Sequence, residues 1–170
     1  MRARTALGLV LVVTSLLFAV APAYASGKGG SATPDLAIKK LESRIYLGAG
    51  VIAPDGSGEM VARTIRQGRA GSFNVKLQNP ASGTLTATLK GCRPDAGFIV
   101  KYFKGNTDIS KSVKAGTLTV TLAAGQNIVI RVDVHAGATT PVGRVQVCPV
   151  NVLQSATIID TVIGEATVRH

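Results

Sequence analysis

Few residues in this 170-residue chain belong to types that form reactive sites. Cys92 and Cys148 are the only cysteines, and an even cysteine count in an exported chain predicts a disulfide between them. A redox-active pair needs a closer Cys-x-x-Cys spacing, and a blue-copper site needs a histidine and a methionine close to Cys148. The sequence has neither arrangement, so we expect this pair to be structural.

Asp133 and His135 are the next candidates, because residues two apart on a strand share a face. Two ligands are too few for a metal site, and the other histidine is the terminal His170. A serine hydrolase would need His135 as its base, but the sequence contains no Gly-x-Ser-x-Gly elbow. The sequence therefore predicts no catalytic residue, no cofactor and no metal site.

One loop has oxygen ligands that calcium prefers, at residues 55–59 (Asp-Gly-Ser-Gly-Glu). It has too few carboxylates for the six to eight oxygens that calcium takes, so a hairpin connection is the favoured interpretation. The surrounding residues 48–58 form the least regular region and are a plausible contact site.

The N-terminus has the pattern of an export signal. Arg2 and Arg4 precede an apolar run over residues 7–20, and Ala23-Tyr24-Ala25 provides a signal-peptidase motif. The run is shorter than the roughly 20 apolar residues of a membrane span, and no later run is long enough to span. The predicted organisation is a signal peptide at 1–25, a flexible Gly/Ser-rich leader at 26–33 and a β-sandwich domain at 34–170.

The chain is basic, with a formal charge of +10 that falls to +8 without Arg2 and Arg4. No block of five like charges marks a nucleic-acid arm, and aromatic residues for base stacking are scarce, so nucleic acid is not an expected partner. An extracellular protein or an anionic cell-surface polymer fits the charge better. A basic sheet face that could hold an acidic ligand is predicted from these residues: Lys76, Lys90, Arg131 and Arg144.

Apolar and polar residues alternate over most of the chain beyond Pro34, which is the pattern of half-buried strands. The segments predict an all-β sandwich of two sheets with about eight or nine strands, and no stretch shows a convincing helical period. Residues 117–122 and 128–135, separated by a short turn, are expected to form a hairpin. The expected interior residues are Phe73, Val75, Leu77, Leu118, Val120, Leu122, Ile128, Ile130 and Val132.

Several segments resemble a known group of modules in their residues and their order: 34–38 (PDLAI), 67–79 (QGRAGSFNVKLQN), 98–103 (FIVKYF), 105–110 (GNTDIS), 122–126 (LAAGQ) and 160–162 (DTV). The chain over about 34–168 resembles the immunoglobulin-like modules of secreted bacterial proteins, such as the cell-adhesion-related bacterial domain. The resemblance implies that the two-sheet sandwich is immunoglobulin-like. It also implies a non-catalytic binding, adhesion or structural module that is secreted or attached to the cell envelope. The alternative is a carrier or inhibitor of a small or polymeric acidic ligand, bound through the basic face.

We predict that the mature protein begins within a residue or two of Ser26, because Ala23 and Ala25 fit the small-residue pockets of signal peptidase. Intact-mass spectrometry of the exported protein checks this. A mature form that retains residues before Ala21 would show that the segment is not removed as a signal.

Overall fold

The computed structural model describes residues 33–170, and these fold as two packed β-sheets. The predicted signal peptide at 1–25 and residues 26–32 of the predicted leader lie outside the described residues. Each sheet has five strands, and the all-β, immunoglobulin-like sandwich expected from the sequence is confirmed.

The first sheet contains, in spatial order, β1 (Asp35–Lys40), β3 (Ala70–Gln78), β8 (Asn127–Ala136), β5 (Phe98–Lys104) and β6 (Thr107–Asp108). The second sheet contains β2 (Met60–Arg66), β10 (Thr157–Arg169), β9 (Val145–Gln154), β4 (Leu85–Gly91) and β7 (Leu118–Leu122). Neighbouring strands are antiparallel, except that β2 runs parallel to β10. The tenth strand, which the sequence did not reveal, is β6, whose two residues are too few to show alternation.

The predicted hairpin at residues 117–135 is wrong. Strand β7 pairs with β4 in the second sheet, whereas β8 pairs with β3 and β5 in the first, so the turn between them crosses the sandwich. Buried Asn79 fixes this crossing, because its side-chain amide donates to the carbonyls of Leu122 and Ala123. Alternation identifies the inward face of each strand, but it does not identify the neighbouring strand.

Residues Ser110–Ala115 form one short helix, α1, although the sequence shows no convincing helical period. The Asp108 carboxylate accepts a hydrogen bond from the Ser110 N–H at 2.9 Å, and Gly116 ends the helix with a φ of 68°. Six residues are too few to show a helical period in the sequence. From residue 33 onward, no helix has the length and apolar character needed to cross a membrane.

The interior between the sheets consists of the alternating apolar residues. Seven of the nine residues expected there are buried: Phe73, Val75, Leu77, Val120, Leu122, Ile130 and Val132. Leu118 and Ile128 are partly buried and pack against the same core. The register predicted from alternation is therefore confirmed.

The disulfide between Cys92 and Cys148 is present as predicted. Cys92 follows β4 and Cys148 lies on the neighbouring strand β9, so the bond reinforces the second sheet. Tyr102 reaches this bond from the opposite sheet, with its hydroxyl 3.1 Å from Cys148 Sγ and donating to the Cys92 carbonyl at 3.3 Å. Burial raises the pKa of the Tyr102 hydroxyl, which remains neutral in the core.

Gly91 is required at this contact. A Cβ at Gly91 would overlap the Tyr102 hydroxyl, so we predict that Gly91→Ala lowers the free energy of unfolding by about 1–3 kcal/mol, the usual cost of overpacking. Denaturant unfolding under oxidising conditions measures the change.

Gly83→Ala is the matched control, because no atom lies within 4 Å of the added Cβ. Its effect should stay within about 0.5 kcal/mol. Equal effects of the two substitutions would show that Tyr102 does not fill the space beside Gly91.

Candidate functional site

Two of the predicted ligand-binding residues, Lys76 and Arg131, lie on the outer face of the first sheet, on β3 and β8. Both already have partners there. The Lys76 ammonium lies 5.0 Å from the centroid of the Tyr46 ring. The Arg131 guanidinium pairs with Asp133 at 3.1 Å and stacks 4.5 Å from the centroid of Phe103.

The other two predicted residues are elsewhere. Lys90 projects from β4 on the outer face of the second sheet, and Arg144 is exposed in the turn before β9. The four residues therefore do not form a single sheet face, and that part of the expectation is corrected. Alternation marked each strand residue as outward-facing, but it could not show on which sheet the residue lies.

A shallow groove of about 350 Å³ crosses the outer face of the first sheet, lined by Ala70, Ile99, Lys101, Phe103, Asp133 and His135. Asp133 and His135 share this face, as their spacing requires. Within residues 33–170 no group of three metal-ligating side chains is assembled. Asp133 also forms an ion pair with Arg131, so its negative charge in the groove is partly neutralised.

A second depression, of about 510 Å³ and more open to solvent than the groove, lies between α1 and the segment that follows the disulfide. We call it the basic pocket, and its lining residues are Arg93, Pro94, Lys111, Lys114 and Ala115. Arg93 is placed by its neighbour Cys92, and the two lysines are three residues apart on α1. Buried Val113 anchors that helix to the core.

The cations of the basic pocket have no ion-pair partner. In the part of the chain that the structure describes, the ion pairs are Arg63–Glu42 and Arg131–Asp133. Asp108 lies near Lys114, and its pKa is lowered by hydrogen bonds from Ser110, with Lys101 and Lys114 contributing. The pocket is thus a local concentration of unpaired positive charge.

Lys90 lies beside this pocket. A Cβ on Gly116, at the end of α1, would be 3.4 Å from the Lys90 side-chain carbons Cγ and Cδ. One of the four predicted residues therefore adds a cation next to Lys114 and Ala115. Arg93, Lys111 and Lys114 were not identified from the sequence. The three-residue spacing of the two lysines places them on one side of a helix, but the sequence shows no helical period there.

Residues 41–59 connect β1 to β2 and contain the calcium-loop candidate. Asp55 is exposed and accepts a hydrogen bond from the Ser57 N–H, whereas the Glu59 side chain is fully buried. These two carboxylates therefore do not face a common site. Glu59 instead lies among buried Asp35 and Asp160, which we call the carboxylate cluster.

Asp160 makes the most hydrogen bonds in this cluster. Its carboxylate accepts the backbone N–H groups of Leu36 at 2.7 Å, Ala53 at 2.9 Å and Thr161 at 2.9 Å. Asp35 accepts the Gly50 N–H at 3.0 Å and a hydrogen bond from the Gln78 amide. The two aspartates thus hold the 41–59 connection against both sheets.

Comparisons with known proteins identify the fold. No protein-family model matches the sequence, and a search of the curated proteins gives no match. A family 123 glycoside hydrolase from Clostridium perfringens has a TM-score of 0.53 at 7% identity over 81% of this chain and 28% of that chain. The CARDB domain of a Pyrococcus furiosus protein, solved in complex with di-metal ions, has a TM-score of 0.43 at 11% identity over 85% of this chain and 97% of that chain.

A FixG-related protein from Vibrio parahaemolyticus has a TM-score of 0.46 at 7% identity, over 81% of this chain and 98% of that chain. At these identities the likeness concerns the fold, and the similar structures include immunoglobulin-like bacterial domains. This fold serves many unrelated functions, so the function has to be argued from the surface of this chain.

Proposed function

We propose that this protein is a secreted or envelope-associated immunoglobulin-like module that binds without catalysis, and that its ligand is an anionic polymer of the cell surface. The observation that carries the proposal is the basic pocket, in which Arg93, Lys111 and Lys114 line one cavity without an acidic residue. Like charges held this close repel one another, and an anion in the pocket would relieve the repulsion.

Three of the acidic residues do not lie at the surface. Residues 33–170 contain 16 lysines and arginines and all nine acidic residues of the chain. Because Asp35, Glu59 and Asp160 are buried in the carboxylate cluster, six acidic side chains remain to offset the basic ones at the surface. The charged side chains at the surface are therefore mainly basic, and this excess favours encounter with polyanions.

The groups in the pocket suit carboxylate, phosphate or sulfate. The Arg93 guanidinium can bind such a group through two parallel hydrogen bonds, and the lysines add mobile point charges. Pro94 and Ala115 provide apolar walls beside them. The disulfide supports the extracellular part of the proposal, because such bonds persist in oxidising compartments.

A small acidic ligand is the second candidate, since Arg93, Lys111 and Lys114 could also hold a single anionic group. In that case the module would be a carrier or an inhibitor. A polymer-binding module should bind a chain of anionic units more tightly than a single unit, whereas a carrier of a small ligand should bind the single unit equally well.

The test compares binding of poly-L-glutamate and polyphosphate to the wild type and to the variant Arg93→Gln/Lys111→Gln/Lys114→Gln. We expect the variant to lose affinity at least about tenfold and to lower the slope of log affinity against log salt by roughly two to three, one for each contact removed. Calorimetry or fluorescence anisotropy over a salt series measures both quantities.

The matched control is Lys104→Gln/Arg144→Gln/Arg169→Gln, which removes the same charge from exposed positions outside the pocket. Its affinity should fall less than about threefold. Equal losses in the two triple variants would contradict a defined site. Binding of free glutamate or phosphate as tight as binding of the polymers would favour the carrier instead.

A further inference from the structure

The 41–59 connection crosses from the first sheet to the second and is held at three places. Near its start, Leu47 and Ile38 exchange two backbone hydrogen bonds of 2.8 Å. Further along, the Gly50 and Ala53 N–H groups donate to Asp35 and Asp160. Its final residue, Glu59, packs directly against its first half, since a Cβ on Gly48 would lie 2.9 Å from Glu59 Oε1.

Glu59 is unusual among the described residues. Its exposed fraction is 0%, and neither carboxylate oxygen has a hydrogen-bond donor to accept from. The groups that act on it electrostatically are other carboxylates, Asp160 on β10 and Asp35 on β1. An ionised Glu59 would be a buried, unpaired charge beside two like charges, which is strongly unfavourable.

We propose that Glu59 carries a proton and donates it to Asp160, and that this shared proton is a latch that holds the 41–59 connection on the sandwich and releases it in alkaline medium. A protonated carboxyl group has one O–H to donate, and the neighbouring Asp160 carboxylate is the acceptor that we assign to it. The proton thus satisfies Glu59 and removes the repulsion between the two carboxyl groups.

The electrostatics of the cluster agree with this geometry. Burial is the largest cause that raises the pKa of Glu59 to about 8, and the neighbouring Asp160 and Asp35 are the others. Burial also raises the pKa of Asp35, which the Gly50 N–H, Gln78 and Lys76 on β3 partly oppose. Among the described residues, no lysine or arginine offsets the effects at Glu59.

A bound cation would be another way to neutralise Glu59, but the arrangement favours the proton. Both Asp160 oxygens already accept backbone N–H groups, and Asp35 is engaged by Gly50 and Gln78. Calcium takes about six to eight oxygens. Within residues 33–170, no three metal-ligating side chains converge in a suitable group.

The latch controls a surface with apolar character. The connection exposes five large apolar side chains: Leu41, Ile45, Leu47, Val51 and Ile52. In the closed state the cluster fixes where the second half of this segment lies. Release of the latch would let Val51 and Ile52 rearrange, so the pH of the medium would alter the apolar surface that this half presents to a partner.

The effect on stability has a definite sign. Since the folded-state pKa of about 8 lies above the ordinary value of 4.5, the folded protein keeps a proton that the unfolded chain releases. The stabilisation is fully present below pH 4.5 and is lost as the pH rises to about 8. Unfolding between these values should release one proton.

The test is Glu59→Gln, which keeps the side-chain shape and an N–H donor toward Asp160 without titrating. In denaturant unfolding from pH 5 to 9 under oxidising conditions, we expect the wild-type midpoint to fall relative to that of the variant as the pH rises. At pH 9, amide hydrogen exchange at Gly50 and Ala53 should be at least about tenfold faster in the wild type than in the variant, and equal at pH 6.

Equal exchange in the two proteins at pH 9 would overturn the latch. Calcium chloride that slows exchange at pH 9 in the wild type but not in Glu59→Gln would overturn it in favour of a cation site. If the variant fails to fold, carbon-13 NMR of the Glu59 carboxyl group in the wild type still decides. A titration near pH 8 supports the latch, and one near pH 4.5 overturns it.

Discussion

The packing of the segments around Glu59 depends on the hydrogen bonds that one buried side chain, Asp160, accepts from them. A fully buried charge is tolerated only when hydrogen bonds replace its water. Asp160 obtains them from β1 in the first sheet, from the 41–59 connection and from its own strand in the second sheet. A register shift in β10 between Ile158 and Asp160 accompanies this arrangement. One side chain thereby joins both layers and the longest connection.

A second contact between the layers is made by Tyr102, which packs in the core and hydrogen-bonds to the disulfide region. Tyr102 crosses from the first sheet to the disulfide of the second, and Gly91 leaves the space that the ring needs. The disulfide also fixes the start of the segment that carries Arg93. The basic pocket is therefore built from a constrained segment and a short helix anchored by Val113, which reduces the ordering cost of binding.

The two proposals share a physical origin in the placement of charge. Moving three acids into the carboxylate cluster provides a titratable interior and leaves the surface with an excess of basic groups. The titratable interior links the 41–59 connection to the pH of the medium. The excess of basic groups at the surface favours binding of polyanions. They concern different residues, so each can fail without the other.

The sequence by itself determined the features that local patterns encode. Alternation around Phe73, Val75 and Ile130 identified strands and their inward faces, and the cysteine count identified the disulfide. The tertiary structure decided which strands pair, so that β7 and β8 lie in different sheets and the four predicted cations do not share a face. It also decided that Glu59 is buried and that Arg93 meets Lys111 and Lys114. The reason is range: alternation is read over a few residues, whereas the Leu36–Asp160 hydrogen bond joins positions 124 residues apart.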